Sequence, residues 1–260
     1  KKVHAIVGAN NVFATNFDIN ILADSLNDLY LVEAGFGVGS SAGVAGTVGA
    51  LLFTDEVKAL IDDSTEAAPG SLTARDIAVC ANSKANIVMV LGSIGGGSSA
   101  GIGGVGMGLV FEGATIAYAG DRNSLTATGS ITVRADSTEL IVSTGASAGA
   151  GGSVGVAGTV MVVKTAVTTQ ATSGDFTAFT ANTLTMRAED NYDLYAVIGS
   201  VGGGGSAGFG IAAAVTIVKN TITAGFGMGN RLNVLGAVEV NALSNRDVRT
   251  YGATAGVSGS

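Results

Sequence analysis

The chain has 260 residues, of which 41 are glycine, 47% are apolar and only 13% are charged, and its formal net charge is −7. That much apolar surface excludes a disordered polar tract, and a single proline without a triplet period excludes collagen. The 13 Lys and Arg are scattered and form no basic stripe, so no nucleic-acid partner is expected, and the lone Cys80 excludes an internal disulfide framework or a cysteine-built zinc site.

At the N-terminus, Lys1-Lys2 is followed by His4 and the polar Gly8-Ala-Asn-Asn11 rather than the apolar run of a signal peptide. Both ends read as cut from something longer.

The first regular element is a triplet of two apolar residues and an alanine at alternate positions, Ile19/Ile21/Ala23. It returns as Ile77/Val79/Ala81, Ile131/Val133/Ala135, Leu184/Met186/Ala188 and Val238/Val240/Ala242, with the alanines 58, 54, 53 and 54 residues apart. The sequence Gly-Val-Ala-Gly-Thr-Val occurs at 43–48 and again two periods later at 155–160. Five registered copies at a nearly fixed period are the signature of an array. The chain divides into the end of a preceding repeat (1–23), four repeats (24–81, 82–135, 136–188 and 189–242) and the start of a fifth (243–260), all in one continuous solenoid.

Within each unit the alternating triplet reads as a half-buried strand. A polar pair follows it (Asp24-Ser25, Asn82-Ser83, Asp136-Ser137, Glu189-Asp190), which Asx and Ser chemistry predicts to be a turn. An apolar run, a glycine-rich block and a β-branched strand such as 160–163 or 215–218 complete the unit. The expected fold is all-β: a β-solenoid, in the form of a right-handed parallel β-helix, built from the ~54-residue glycine-rich repeats. With strands of ordinary length, each unit would hold two or three rungs, and the chain about a dozen rungs in a rod of roughly 60 Å.

The glycine-rich blocks lie in uncharged stretches, 34–54, 85–111, 140–163 and 194–218, each long enough for a membrane-spanning helix. A glycine-zipper membrane protein with four such spans is the competing architecture. These stretches hold 28 of the 41 glycines, and at about 1 kcal/mol per interior glycine a helix is disfavoured. Bent strand pairs with very close backbone approach fit better. Segments 87–91 and 211–218 are apolar on both faces, so a covering loop or a second molecule is expected over the outer one.

Several motifs imitate chemistry. Gly-x-Ser-x-Gly recurs around Ser41, Ser99, Ser153 and Ser206, but a nucleophile elbow needs a histidine base and the only histidine is His4. Small residues at a bend account for these serines. Gly101-Ile-Gly-Gly-Val-Gly106 matches the dinucleotide fingerprint literally, yet no amphipathic helix follows it. The glycine blocks contain no Asp or Glu, which excludes the calcium-binding β-roll. Asp62-Asp63 and Glu189-Asp190 read as solvated turns, and Glu112 and Asp121 as surface charges. Cys80 is expected to point outward and stay idle, and Tyr30, Tyr192 and Tyr195 to anchor the core. No catalytic, cofactor or metal site is expected, and the chain is not read as an enzyme.

The run from Ile131 to Val160, with Ile-Thr-Val-Arg-Ala-Asp-Ser leading to Gly-Ala-Ser-Ala-Gly-Ala-Gly-Gly-Ser-Val-Gly-Val-Ala-Gly-Thr-Val, resembles the repeat regions of large bacterial filamentous adhesins of the leukotoxin-like and filamentous-haemagglutinin type. The resemblance covers essentially the whole chain. It implies a β-solenoid exported by a type V system, extracellular and at the bacterial cell surface in association with the outer membrane. It also implies partners drawn from other copies of the fibre or from host or bacterial surface receptors, and no catalytic residues.

Overall fold

The computed structural model describes residues 1–259, so Ser260, within the start of the fifth repeat, lies outside the described residues. Among the described residues there is no helix. The fold is all-β, a parallel solenoid of three five-stranded sheets.

The first strand, β1 (Lys2–Val7), is followed by a rung of three strands: a short β2 (Val12–Ala14), a long β3 (Ile19–Gly39) and a long β4 (Ala42–Ile61). The pattern repeats as β5 (Gly70–Ala74), β6 (Ile77–Gly97) and β7 (Ala100–Ala119); then β8 (Asn123–Ala127), β9 (Ser130–Gly151) and β10 (Val154–Ser173); then β11 (Ala178–Ala181), β12 (Thr183–Gly204) and β13 (Ala207–Gly225). The chain closes with β14 (Arg231–Val234) and β15 (Val238–Ser258). Sheet A is β1-β4-β7-β10-β13, sheet B is the short strands β2-β5-β8-β11-β14, and sheet C is β3-β6-β9-β12-β15.

Each period therefore supplies one rung, not two or three. At about 3.3 Å per residue the long strands run roughly 70 Å, while five strands at ~4.8 Å spacing stack only about 24 Å deep. The molecule is a broad blade rather than a 60 Å rod. The expected membrane spans are strand–bend–strand pairs: 34–54 covers the end of β3 and much of β4, and the other three repeat that arrangement. No helix long and apolar enough to cross a membrane is found among the described residues.

Side-chain size along the inward face sets the cross-section. The alternating triplets begin sheet C in matched columns, Ile19↔Ile77↔Ile131↔Leu184↔Val238 and Ala23↔Ala81↔Ala135↔Ala188↔Ala242. There the three sheets enclose a wide base packed with Ile, Val, Leu and Phe179. The polar pairs do not turn. Strands β3, β6, β9 and β12 continue straight through them, the first residue facing out and Ser25, Ser83, Ser137 or Asp190 buried. Beyond this polar layer a second core holds Met89, Leu91, Leu109, Tyr192 and Leu194, with the Phe53 and Phe111 rings stacked 5.7 Å apart.

Toward the tip the inward residues shrink to glycine and sheets A and C close onto each other. A Cβ on Gly37, Gly95, Gly149 or Gly202 would overlap the carbonyl oxygen of Val44, Ile102, Val156 or Phe209 across the gap. Ordinary packed sheets sit ~10 Å apart; this outer limb is thinner because nothing lies between its backbones. Threonine hydroxyls bridge what remains, Thr47 donating to the Gly92 carbonyl (2.9 Å) and Thr159 to that of Gly199 (2.8 Å).

Replacing Gly95 by alanine forces the two sheets apart at a point where only backbone faces backbone. Thermal unfolding followed by circular dichroism should show a loss of about 1–3 kcal/mol. At about 2–4 °C per kcal/mol for a chain of this size, the midpoint falls by several degrees. An unchanged midpoint would mean that the limb does not close as described.

Candidate functional site

The four recurring serines stand at the tip. Ser41, Ser99, Ser153 and Ser206 occupy the bends between the long strands, all exposed, and their backbones form a ladder. The N–H of Ser99 donates to the Ser41 carbonyl, Ser153 to Ser99 and Ser206 to Ser153, each at 2.9 Å. His4 is paired with Lys58 in sheet A, 17 residues along β4 from Ser41. That is roughly 55 Å of extended strand, so no serine can share a proton with this histidine. His4 lies instead 3.2 Å from Glu56, whose carboxyl Lys58 (2.6 Å) and Lys2 (3.3 Å) hold down at about 2.

Of the alternating triplets, Ile21, Ala23, Ile77, Val79, Ala81, Ile131, Val133, Ala135, Leu184, Met186 and Ala188 line the base core, and Ile19 packs at its edge. Val238, Val240 and Ala242 stand in the same columns on the outermost strand, β15, and are exposed there. Gly101 and Gly103, from the stretch resembling a dinucleotide fingerprint, sit inside β7 against the carbonyls of Ala150 and Ala148. No strand-to-helix turn exists there to hold a phosphate.

The chemistry that the sequence reading missed is inside. Between the two apolar cores, Asp55 on β4 accepts hydrogen bonds from Asn27 (2.8 Å), Ser83 (3.0 Å) and Ser25 (3.2 Å). Two and three rungs on, Glu139 of β9 and Asp190 of β12 face inward with 1% and 0% exposure, so Glu189-Asp190 is not a solvated turn. Ser137 donates to one Glu139 oxygen, Asn220 donates to one Asp190 oxygen (2.8 Å), and the two carboxyls lie within hydrogen-bonding reach of each other with no other donor for Glu139 Oε2 or Asp190 Oδ1. Burial, then the neighbouring Asp190 charge, pushes the Glu139 carboxyl well above the usual carboxylate range. Burial raises Asp190 as well, against the hydrogen bonds with Asn220 and Glu139 and the more distant Arg246. Tyr192, buried beside them and bonded by Thr165 (3.1 Å), is raised to about 12 by desolvation. A proton held by Glu139 removes one of two like charges that no cation neutralises directly.

Parity along the strand was the signal for these residues. Counting by twos from Ala188 turns Asp190 and Tyr192 inward and Tyr195 outward, where Arg249 stacks on its ring at 5.5 Å. The same count from Ala23 turns Tyr30 outward, and it is 71% exposed. Tyr192 alone of the three anchors the core. Cys80 points outward beside Arg134, as its parity requires, but burial raises its thiol more than the arginine lowers it.

On the narrow side a shallow cleft of about 450 Å³ is lined by Glu66, Pro69, Arg122, Asn123 and Phe176. Arg122 and Phe176 both adopt left-handed backbone (φ 53° and 56°), a strained choice for bulky residues, and the guanidinium lies 5.3 Å over the Phe176 ring. Asp63, Asp121 and Asp175 order these bends, each accepting the backbone N–H of the rung above at 2.9, 2.7 and 2.7 Å. Asp121 is thus a partly exposed charge that also serves as a ladder residue. Among the described residues no three His, Cys, Asp or Glu side chains gather as a metal site would require.

These features define a parallel β-solenoid in which every sequence period contributes one rung. Comparison with protein-family models, curated proteins and solved structures finds no match to this chain.

The buried carboxylates make stability depend on pH in an unusual direction. Glu139 has a folded value above its unfolded one, so its contribution is complete below about pH 4 and is lost as pH rises through the folded value. The melting midpoint is expected to rise as pH falls from about 8 toward 5, before protonation of Glu56 reverses the trend near the acid limit. Glu139→Gln should flatten that slope and add on the order of 1–3 kcal/mol at neutral pH, the penalty of a buried group left unpaired. A midpoint insensitive to pH in this window would show that Glu139 is ionised without cost.

Proposed function

We propose that the chain is a structural segment of an extracellular bacterial surface fibre, a filamentous adhesin region that mediates attachment or fibre assembly without catalysis. One observation carries the reading: four successive periods add rungs in the same register, column on column, so length can grow without a larger globular core. The resemblance of 131–160 to filamentous adhesin repeats supports the extracellular assignment and the type V route. The partners that fit are other copies of the fibre and receptors on host or bacterial surfaces. The charge distribution offers nothing to nucleic acid.

Antibody raised against residues 1–260 should label intact cells of the source organism and decorate filaments by electron microscopy. Labelling only after permeabilisation would refute the surface assignment.

The modular reading has its own test. Ala135 and Ala188 occupy the same column, so excising 136–188 joins β9 to β12 without a register shift. The shortened chain should stay fully β and unfold cooperatively, with a denaturant m-value smaller by roughly a fifth. Collapse to an unfolded chain would mean that the repeats are not interchangeable.

A further inference from the structure

The outer face of sheet A over the thin limb is covered by nothing in the chain. Val48, Leu52, Val160, Ile211 and Val215 stand 80, 77, 51, 65 and 51% exposed. From the tip bends inward, the outward positions of β4, β7, β10 and β13 carry no charge until Glu56, Glu112, Lys164 and Lys219. Four strands of about 11 residues make a face of roughly 700 Å². Contiguous apolar patches of this size mark interaction surfaces, and a stable interface needs about 800 Å² per partner.

Gly46, Gly104 and Gly158 form one column near the tip end of this face, on three of its four strands, and Ile211 of β13 closes the column. A Cβ built on any of them meets nothing within 4 Å, and none has left-handed backbone. Nothing inside the molecule requires glycine there, although each costs about 0.5–1 kcal/mol in a strand relative to alanine. On the inward side of the same sheet, glycines stand where another backbone arrives. Outward glycines with open space in front of them fit the same kind of neighbour. Lipid chains gain nothing from a glycine column and would leave the strand edges unpaired. A charge-free sheet does gain from it, and the same face of a second copy is one of matching size.

We propose that the sheet A face of the thin limb packs against the same face of a second copy, limb on limb, with the Gly46/Gly104/Gly158 columns in closest approach. The proposal specifies the contact for the fibre-assembly reading and rests on that reading only for the premise that copies meet.

Sedimentation velocity of the purified chain across a wide concentration range is the test, with three lysine variants. Wild type should pass from monomer to dimer. Gly104→Lys and Val160→Lys should each weaken association about tenfold or more, since the new charge would be buried unpaired. Gly92→Lys, on the opposite sheet C face where a Cβ has no neighbour closer than 3.9 Å, should dimerise like wild type. Circular dichroism of each diluted variant establishes that the blade is folded, and Val160→Lys decides if Gly104→Lys is not. Association untouched by either sheet A variant overturns the face but leaves fibre self-association standing. A wild type that stays monomeric throughout overturns both. Flotation with phosphatidylcholine vesicles that is lost in Gly104→Lys would assign the face to lipid and overturn the proposal.

Discussion

The two long sheets must meet at the tip with no side chain between them, and most of the architecture follows from that closure. A strand of about 21 residues is several times the usual length, and both faces of so long a ribbon need an account. Grading inward side-chain size from Ile and Phe at the base to glycine at the tip turns a prism into a wedge. Parallel in-register stacking makes every inward position a column, so the gradient must be repeated in each rung. A bulky residue in one tip would therefore splay its neighbours as well as its own rung.

The polar layer between the two cores does a different job. Apolar packing tolerates sliding of one sheet along another by two residues, because alternation survives such a slip. Asp55 and Asp190 do not tolerate it: a shift in either direction moves a carboxylate into the base core or the limb core, away from the Ser and Asn donors of the opposite sheet that now bond it. Such a transfer costs several kcal/mol per group. The layer thereby fixes how far sheet A can slide against sheet C, at the cost of two carboxyls buried side by side.

Fold class, period and the strand character of the alternating triplets were legible because they rest on repetition and on a period of two. Rung count was not, since nothing local announces a 22-residue strand. The polar pairs look like turns by propensity, and only their place in the columns reveals that the strand runs on. Tertiary context overrode local preference at Asp190, whose acidic neighbour Glu189 faces solvent and bonds Arg187 at 2.6 Å. Tyr30 and Tyr195 stand close to the polar pair in sequence, but their parity along the strand turns them outward. The cleft at Arg122 and Phe176 had no sequence signal, since its left-handed bends use residues that rarely adopt them.

Gly-Val-Ala-Gly-Thr-Val encodes both sides of the limb in six residues. In each copy the first glycine, the alanine and the threonine face inward: Gly43, Ala45 and Thr47 in one, Gly155, Ala157 and Thr159 in the other. The glycine admits the opposing backbone and the threonine ties it by a hydroxyl bond to a carbonyl of sheet C. The interleaved valines and second glycine face outward and build an apolar surface with a shallow trough. Closure of the blade explains only the inward half. The outward half satisfies no contact within the molecule, yet it keeps a residue that weakens a solvent-exposed strand. A surface written into the same motif as the fold's tightest contact belongs to the repeat's design as much as the contact does.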